Sequence, residues 1–431
     1  MRRTTTVIIG AGHCGLAMSR RLSERSIDHV VLERDRVGSS WRTQRWDSMR
    51  LLTPNWQSRL PGQVDRPADP HGYARADEVA QHLSDYAAAI SAPVERSTVT
   101  RVVAAGGGYD VVTDVGTWRA ATLVVASGPA NVASIPQLAS AAPSGIGSRT
   151  PLTYRCPDDL PLSGVLVVGA SASGVQLARE LQRSGRQVTL SVGEHVRLPR
   201  TYRGRDLFWW FDQAGVLDER CDEIDDIARA RRLPSPQLAG DRDRQFVDLG
   251  SLVEEGITVV GRLHGFDGNV ARFSGGLANV CRLADLKMNR LLDRFDEWAS
   301  VIGADVEAPE RFTALEIPTP PLEVDLVRSG IGTIMWATGF RPEYPWLDLP
   351  VLDRRDRIVH DGGSIVGAPG AYVMGQPLLR RRRSTYISGA AADSSDLARV
   401  LHGHLDELAG HVSATASSRS AGRHTTASVA E

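Results

Sequence analysis

Gly10-Ala11-Gly12-His13-Cys14-Gly15 has the spacing G-x-G-x-x-G, and Glu33 follows eighteen residues past Gly15. In such a pattern Gly10 permits a tight turn, Gly12 lets a pyrophosphate approach the backbone, and Gly15 lets helix pack on strand. The helix opening there offers its first amides to phosphate oxygens, and a carboxylate at Glu33 can accept both hydroxyls of an adenosine ribose. Arg34, the next residue, is taken as a further contact. A second loop, Gly169-Ala170-Ser171-Ala172-Ser173-Gly174, repeats the arrangement with Ser171 in place of the middle glycine. Serine costs some closeness of approach but brings a hydroxyl that can donate to phosphate, and Ser173 is small in the same way. The same count of eighteen from Gly174 reaches Val192, and none of Ser191, Val192 and Gly193 is acidic. Arg197, Arg200 and Arg203 follow instead. A missing carboxylate with arginines nearby suits a 2′-phosphate, so the second loop is expected to take NADPH over NADH, with Arg197 and Arg200 on the phosphate.

Periodicity supplies the elements that these loops require. Thr4 to Ile9 is β-branched and apolar, as in a buried parallel strand, and Gly15, Met18 and Leu22 mark one helix face. His29 to Leu32 is a second strand ending at Glu33, which completes a βαβ unit. Arg42 to Tyr73 has no sustained period and reads as a long loop region, ordered by Trp46 and Trp56. A helix over about Arg75 to Ile90 follows, then strands at Ser97 to Val103, Tyr109 to Thr113 and Leu123 to Ala126. Strand, turn and helix recur at Val165 to Val168, Gly169 to Gly174 and Val175 to Leu181, with the next strand at Gln187 to Val192. Ala284, Met288, Leu291, Phe295 and Trp298 share a helix face, and Ile331 to Trp336 is a late strand. Two dinucleotide folds in one chain suggest a flavin in the first and a nicotinamide in the second.

Composition narrows the remaining classes. The 431 residues carry 50 basic and 51 acidic side chains, a net charge of −1, so nucleic acid and anionic membranes are not expected partners. Only one lysine, Lys287, is present. Cys14, Cys156, Cys221 and Cys281 include no C-x-x-C, which removes zinc-ribbon, thioredoxin-like and disulfide-framework readings and makes a reducing compartment the default. No apolar run reaches the ~18 residues of a membrane span. Arg2 and Arg3 before Val7-Ile8-Ile9 imitate a secretory signal, but the run is short and broken by glycines. A cytoplasmic protein is expected. His402, His404 and His411 lack a carboxylate partner in the pattern, and no metal is expected. Phe208-Trp209-Trp210-Phe211 reads as packing at a domain seam, and Arg380 to Arg383 as a structural or substrate-facing loop.

The chain resembles the class B flavoprotein monooxygenases: flavin-containing monooxygenases, the plant YUCCA enzymes and the bacterial CzcO-like branch. The residues that carry the resemblance are both glycine loops, Glu33, Gly38-Ser39-Ser40-Trp41-Arg42, the stretch from Trp46 to Pro54, Leu60-Pro61-Gly62, Ala337-Thr338-Gly339-Phe340 and Gly370 to Gly375. The resemblance implies FAD and NADPH as cofactors. It also implies an oxygenase that forms a C4a-peroxyflavin with dioxygen and passes oxygen to a small organic substrate, at nitrogen or sulfur or by attack on a 2-oxo acid. Trp41 and Arg42 should then lie along the flavin, with Asn55 touching its reactive ring. Val99 should meet the adenine, Gly128 and Gly375 should pass close to FAD, and Gly339 should line the passage between the nucleotides. One departure stands out: the fingerprint F-x-G-x-x-x-H maps onto about Ile146 to Tyr154, where Thr150 replaces the histidine. The Baeyer–Villiger version is absent too. A flavin oxidase or NADPH reductase without oxygen insertion, and a non-catalytic nucleotide-binding scaffold, are the alternatives.

The expected architecture is α/β, with two Rossmann-like dinucleotide-binding domains, the NADPH domain inserted into the FAD domain. Its boundaries are 1–158 for the first FAD part, 159–321 for the NADPH domain, 322–410 for the second FAD part and 411–431 for a disordered tail.

Overall fold

The computed structural model describes residues 1–64, 67–241 and 243–421, with side chains as far as His411. Two parallel sheets organise the chain. In the first, the strand Arg2–Ile9 is central. It pairs in parallel with His29–Glu33 on one side, register Val7 to Val30 and Ile9 to Leu32, and with Gly116–Val125 on the other, register Ile9 to Val125. Val94–Arg96 extends the sheet beyond His29–Glu33, and Ala371–Val373 beyond Gly116–Val125. Val7 and Ile8 are wholly buried, because a parallel sheet covered by helices on both faces shields every side chain of its middle strands. The helix His13–Ser23 covers one face with the C-terminal helix Gly389–Ala421 against it. Val99–Ala105 and Gly108–Thr113 form a hairpin that leads into Gly116–Val125.

The second sheet repeats the plan. Gly164–Val168 is central among its parallel strands, in the order Thr258–Val260, Val188–Ser191, Gly164–Val168, Ile331–Trp336, Gly147–Arg149. A meander of Leu263–Asp267, Val270–Phe273 and Glu323–Asp325 occupies the place that the hairpin holds in the first unit. Between its second and third strands lies the long amphipathic helix Leu277–Ile302.

This pairing moves both expected boundaries. The expected division puts Ile331–Trp336 in the second FAD part and Gly147–Arg149 in the first, yet both hydrogen-bond into the second sheet. The second unit therefore spans about 147–336, because a parallel neighbour reached by a long crossover is invisible to local periodicity. The tail expected from residue 411 is helical as far as Ala421; residues 422–431 lie outside the described residues. Phe208 to Phe211 is packing, as expected: Trp210 stacks on Phe295 with centroids 5.5 Å apart, in a core shared with Tyr202, Leu207 and Met288. Arg380 to Arg383 is structural. Arg381 pairs with Asp393 and Asp396, Arg382 with Glu219, and Arg383 with Asp212 and Asp218, which fastens the 212–219 segment to the first unit.

Candidate active site

Each central strand ends in a glycine turn, and the two turns share their geometry. Gly10 has φ +105°, and a Cβ there would lie 2.7 Å from the Ala126 carbonyl oxygen; Gly169 has φ +106°, and its Cβ would press closer still on the Ala337 carbonyl oxygen. Only glycine fits where the turn crosses the neighbouring strand this closely. Gly15 and Gly174 press in the same way on the Gly10 and Gly169 carbonyls. A Cβ on Gly12, by contrast, would meet nothing within 4 Å, so the turn opens onto free space.

That space is a cleft of about 490 Å³ in the first unit. Its walls include Gly10, Gly12, Glu33, Arg34, Trp41, Val99, Gly128 and Gly375, which the sequence places on the first nucleotide. Glu33 accepts from the Ala11 amide at 2.8 Å and from the Asp35 amide at 3.3 Å, which fixes the carboxylate at the strand end. Residues that the sequence argument did not single out also line it: His13, Gln44, Arg45, Ser97, Ser127 and Trp346. Among the described residues His13 Nε2, Ser97 Oγ and Ser127 Oγ are buried without a hydrogen-bond partner. Orphaned polar atoms around a glycine cradle are what a missing polar ligand leaves, so the residues present fit an adenine dinucleotide. Burial lowers the His13 imidazole to about 4, with a backbone contact to Thr385 opposing it, so this side chain is uncharged at neutral pH. Burial also pushes the Cys14 thiol up, with Asp393 adding to the effect, which leaves an inert thiol against Gly375.

Two expectations about the flavin face change. Arg42 is not among the cleft residues; its guanidinium reaches Gln81 Oε1 at 3.4 Å. Gln44 and Arg45, just past the end of the helix Ser39–Thr43, line the cleft with Trp41 instead. Asn55 is not on this wall either. Its Nδ2 donates to the Asp69 carbonyl at 2.9 Å, while Oδ1 is buried without a partner.

At the second turn, Ser171 and Ser173 make no side-chain hydrogen bond among the described residues, and Ser171 caps no helix amide. Both hydroxyls are therefore free for a ligand at the start of Ala172–Arg183. The buried Gln237 donates to the Ala170 carbonyl at 2.9 Å and pins the loop. Arg197 and Arg200, expected on a 2′-phosphate, are corrected. Arg197 is 5% exposed and pairs with Asp248 and Asp285, each at 2.7 Å. Arg200 is 1% exposed, binds Asp206 at 2.6 Å and donates to the Leu52 carbonyl at 2.7 Å. Both guanidiniums are buried and neutralised by carboxylates, which takes them away from a ligand at the turn. The exposed groups at this strand end are Glu194, bonded to Lys287 at 2.8 Å, and Arg262, whose Cδ would lie 3.8 Å from a Cβ on Gly193.

The units are joined by two linkers that pair with each other, Val132–Ala133 against Phe340–Arg341. Gly339 sits in this ribbon, with its carbonyl accepting from the Ser134 amide at 2.9 Å. Thr150 is buried, and its amide donates to the Thr153 hydroxyl oxygen at 3.0 Å, so a turn occupies the place of the fingerprint histidine.

Comparison with known proteins agrees with this geometry. The pyridine nucleotide-disulphide oxidoreductase family matches residues 7–203. An uncharacterized CzcO-like oxidoreductase of Geobacillus kaustophilus is 29% identical over 403 residues, covering 92% of this chain and 98% of that protein. Indole-3-pyruvate monooxygenase YUCCA6 of Arabidopsis thaliana is 29% identical over 223 residues, covering 48% of this chain and 52% of the plant protein. Among solved structures, a flavin-containing monooxygenase from Stenotrophomonas maltophilia superposes with TM-score 0.65 at 18% identity, covering 94% of this chain and 100% of that one. Fold and cleft thus resemble those of oxidoreductases that carry two nucleotide cradles. The chain is similar to these oxidoreductases and monooxygenases in fold and in the placement of its glycine turns.

Proposed function

We propose that the protein is an FAD- and NADPH-dependent monooxygenase acting on a small organic substrate with dioxygen. The observation that carries this reading is the duplicated glycine turn, two cradles of matching geometry on two parallel sheets tied by one linker ribbon. When bound, the flavin supplies hydride acceptance and dioxygen chemistry that no side chain here provides. The chain's own part is to bind, orient and exclude water. The Gly10 turn and the first amides of His13–Ser23 hold a pyrophosphate, and Glu33 holds the ribose. Trp41, Trp346 and Met374 supply apolar wall. The neutral His13 has an unpartnered Nε2 that would offer a bound ligand one hydrogen bond without adding a charge. NADPH stays the proposed donor because Ser191 to Gly193 carry no carboxylate; the phosphate partner is reassigned to the exposed Arg262 beside Gly193.

The test is incubation with NADPH and labelled ¹⁸O₂ across amines, thioethers and 2-oxo acids. Label in an organic product supports the reading. NADPH consumption that yields only hydrogen peroxide, with every substrate, supports the oxidase alternative, which the turn at Thr150 favours. A disulfide reductase lacks its chemistry here, since all four cysteines are free and Cys14 and Cys281 are buried.

A further inference from the structure

Arg45 is a cation on the cleft wall with no counter-ion among the described residues. It lies four residues past Trp41, beyond the end of the helix Ser39–Thr43, and its guanidinium lies over the Trp41 ring, 5.3 Å from the centroid. Its acceptor among the described residues is the adjacent Gln44 carbonyl at 2.7 Å, and no carboxylate there pairs with it. Arginine on this wall does not have to be like this. Arg34 also lacks an ion pair among the described residues but is exposed, so water solvates it. Arg186 is buried without a carboxylate, yet it donates to the Leu160 and Pro161 carbonyls and to Ser184 Oγ. Burial lowers the Arg45 guanidinium. Because arginine does not give up its proton in a protein, an anion bound on this wall would offset that desolvation.

The position of Arg45 indicates which anion. Glu33 and Ser97 to Val99 mark the adenosine end of the cleft, and the Gly10 turn is where its phosphates meet backbone amides. The residue after Arg45, Trp46, is buried in the core of the second unit, and Arg155 of that region donates to the Arg45 carbonyl. The Arg45 stretch of the cleft wall therefore adjoins the second unit.

We propose that Arg45 binds the carboxylate of the substrate, so that the oxygen acceptor is an organic acid held by a guanidinium backed by Trp41. This inference rests on the flavoprotein reading above, and the test separates the two. FAD uptake is measured first on wild type, Arg45→Met and Arg45→Lys by the quenching of flavin fluorescence. Each loaded protein is then titrated with phenylacetate and with its neutral counterpart phenylacetamide, using the flavin absorbance shift. A charge-assisted bidentate contact predicts at least tenfold tighter binding of phenylacetate to wild type. Arg45→Met should erase that preference with FAD affinity retained, and Arg45→Lys should keep part of it. A wild type without carboxylate preference overturns the proposal. So does an Arg45→Met protein that loses FAD affinity by tenfold or more while still preferring the acid, since Arg45 would then serve the cofactor phosphates. A wild type that takes up no FAD overturns the flavoprotein reading and this proposal together.

Discussion

Replacing Arg200 by methionine separates a structural from a nucleotide-binding role. Arg200 presents Nε and Nη2 to Asp206, with contacts of 3.1, 2.7 and 2.6 Å, and its guanidinium lies 4.4 Å from the Tyr73 ring centroid. Asp206 also accepts from the Tyr73 hydroxyl at 2.6 Å and the Phe208 amide at 2.8 Å. Methionine fills much of the volume but leaves the Asp206 charge in a site where its side chain is 7% exposed. Removing one partner of a buried pair costs about 3–5 kcal/mol. In a unit of roughly 150–250 residues that corresponds to a melting temperature lower by about 10 °C. The assay is a thermal melt with and without NADP, together with kcat/KM for NADPH and NADH. The structure predicts a large drop in melting temperature and an NADPH:NADH ratio within about twofold of wild type; the double variant Arg200→Met with Asp206→Leu should recover part of the stability. A variant as stable as wild type whose NADPH preference collapses would refute the reasoning and return Arg200 to the phosphate.

Gly169→Ala drives a Cβ into the Ala337 carbonyl oxygen at a φ of +106°, so it should leave FAD content intact and slow anaerobic flavin reduction by NADPH by at least tenfold; loss of FAD with normal reduction per bound flavin would contradict the assignment of the two cradles. Arg262→Ala should raise KM for NADPH at least fivefold and leave KM for NADH unchanged, and equal effects on both nucleotides would remove Arg262 from the 2′-phosphate. Burial holds His13 near 4 in the fold against 6.5 when unfolded. The unfolded chain therefore binds more protons between these values, and stability is lost as pH falls through that window, by about 3 kcal/mol when complete. Urea unfolding of the apoprotein at pH 7, 5.5 and 4.5 should show a shallower pH dependence for His13→Asn than for wild type; parallel curves would show that His13 is not the group responsible.

The parts of the site made of backbone were readable from the residues. Gly10, Gly15, Gly169 and Gly174 are dictated by turns that admit nothing larger, and Glu33 by the end of a strand, so spacing alone located them. Side-chain roles depended on partners far along the chain. Arg197 meets Asp248 and Asp285, 51 and 88 residues away, and no local pattern announces such a pairing. Arg42 and Arg45 illustrate a different limit: the helix Ser39–Thr43 stops after five residues, and the chain beyond its end brings Arg45 rather than Arg42 over Trp41, which no sequence period announces. The domain boundaries failed for a topological reason. Ile331–Trp336 joins Gly164–Val168 across more than 160 residues, and its apolar run suits either sheet equally well.

The central claim is that two dinucleotides occupy separate cradles in one protein and exchange a hydride directly. It is tested by mixing the FAD-loaded enzyme anaerobically with NADPH carrying deuterium at either face of C4 and following the flavin absorbance. Complete bleaching, slowed by deuterium on one face alone, is the predicted result. Failure of NADPH and NADH to bleach the bound flavin, or bleaching indifferent to deuterium on both faces with hydride transfer rate-limiting, would contradict the account.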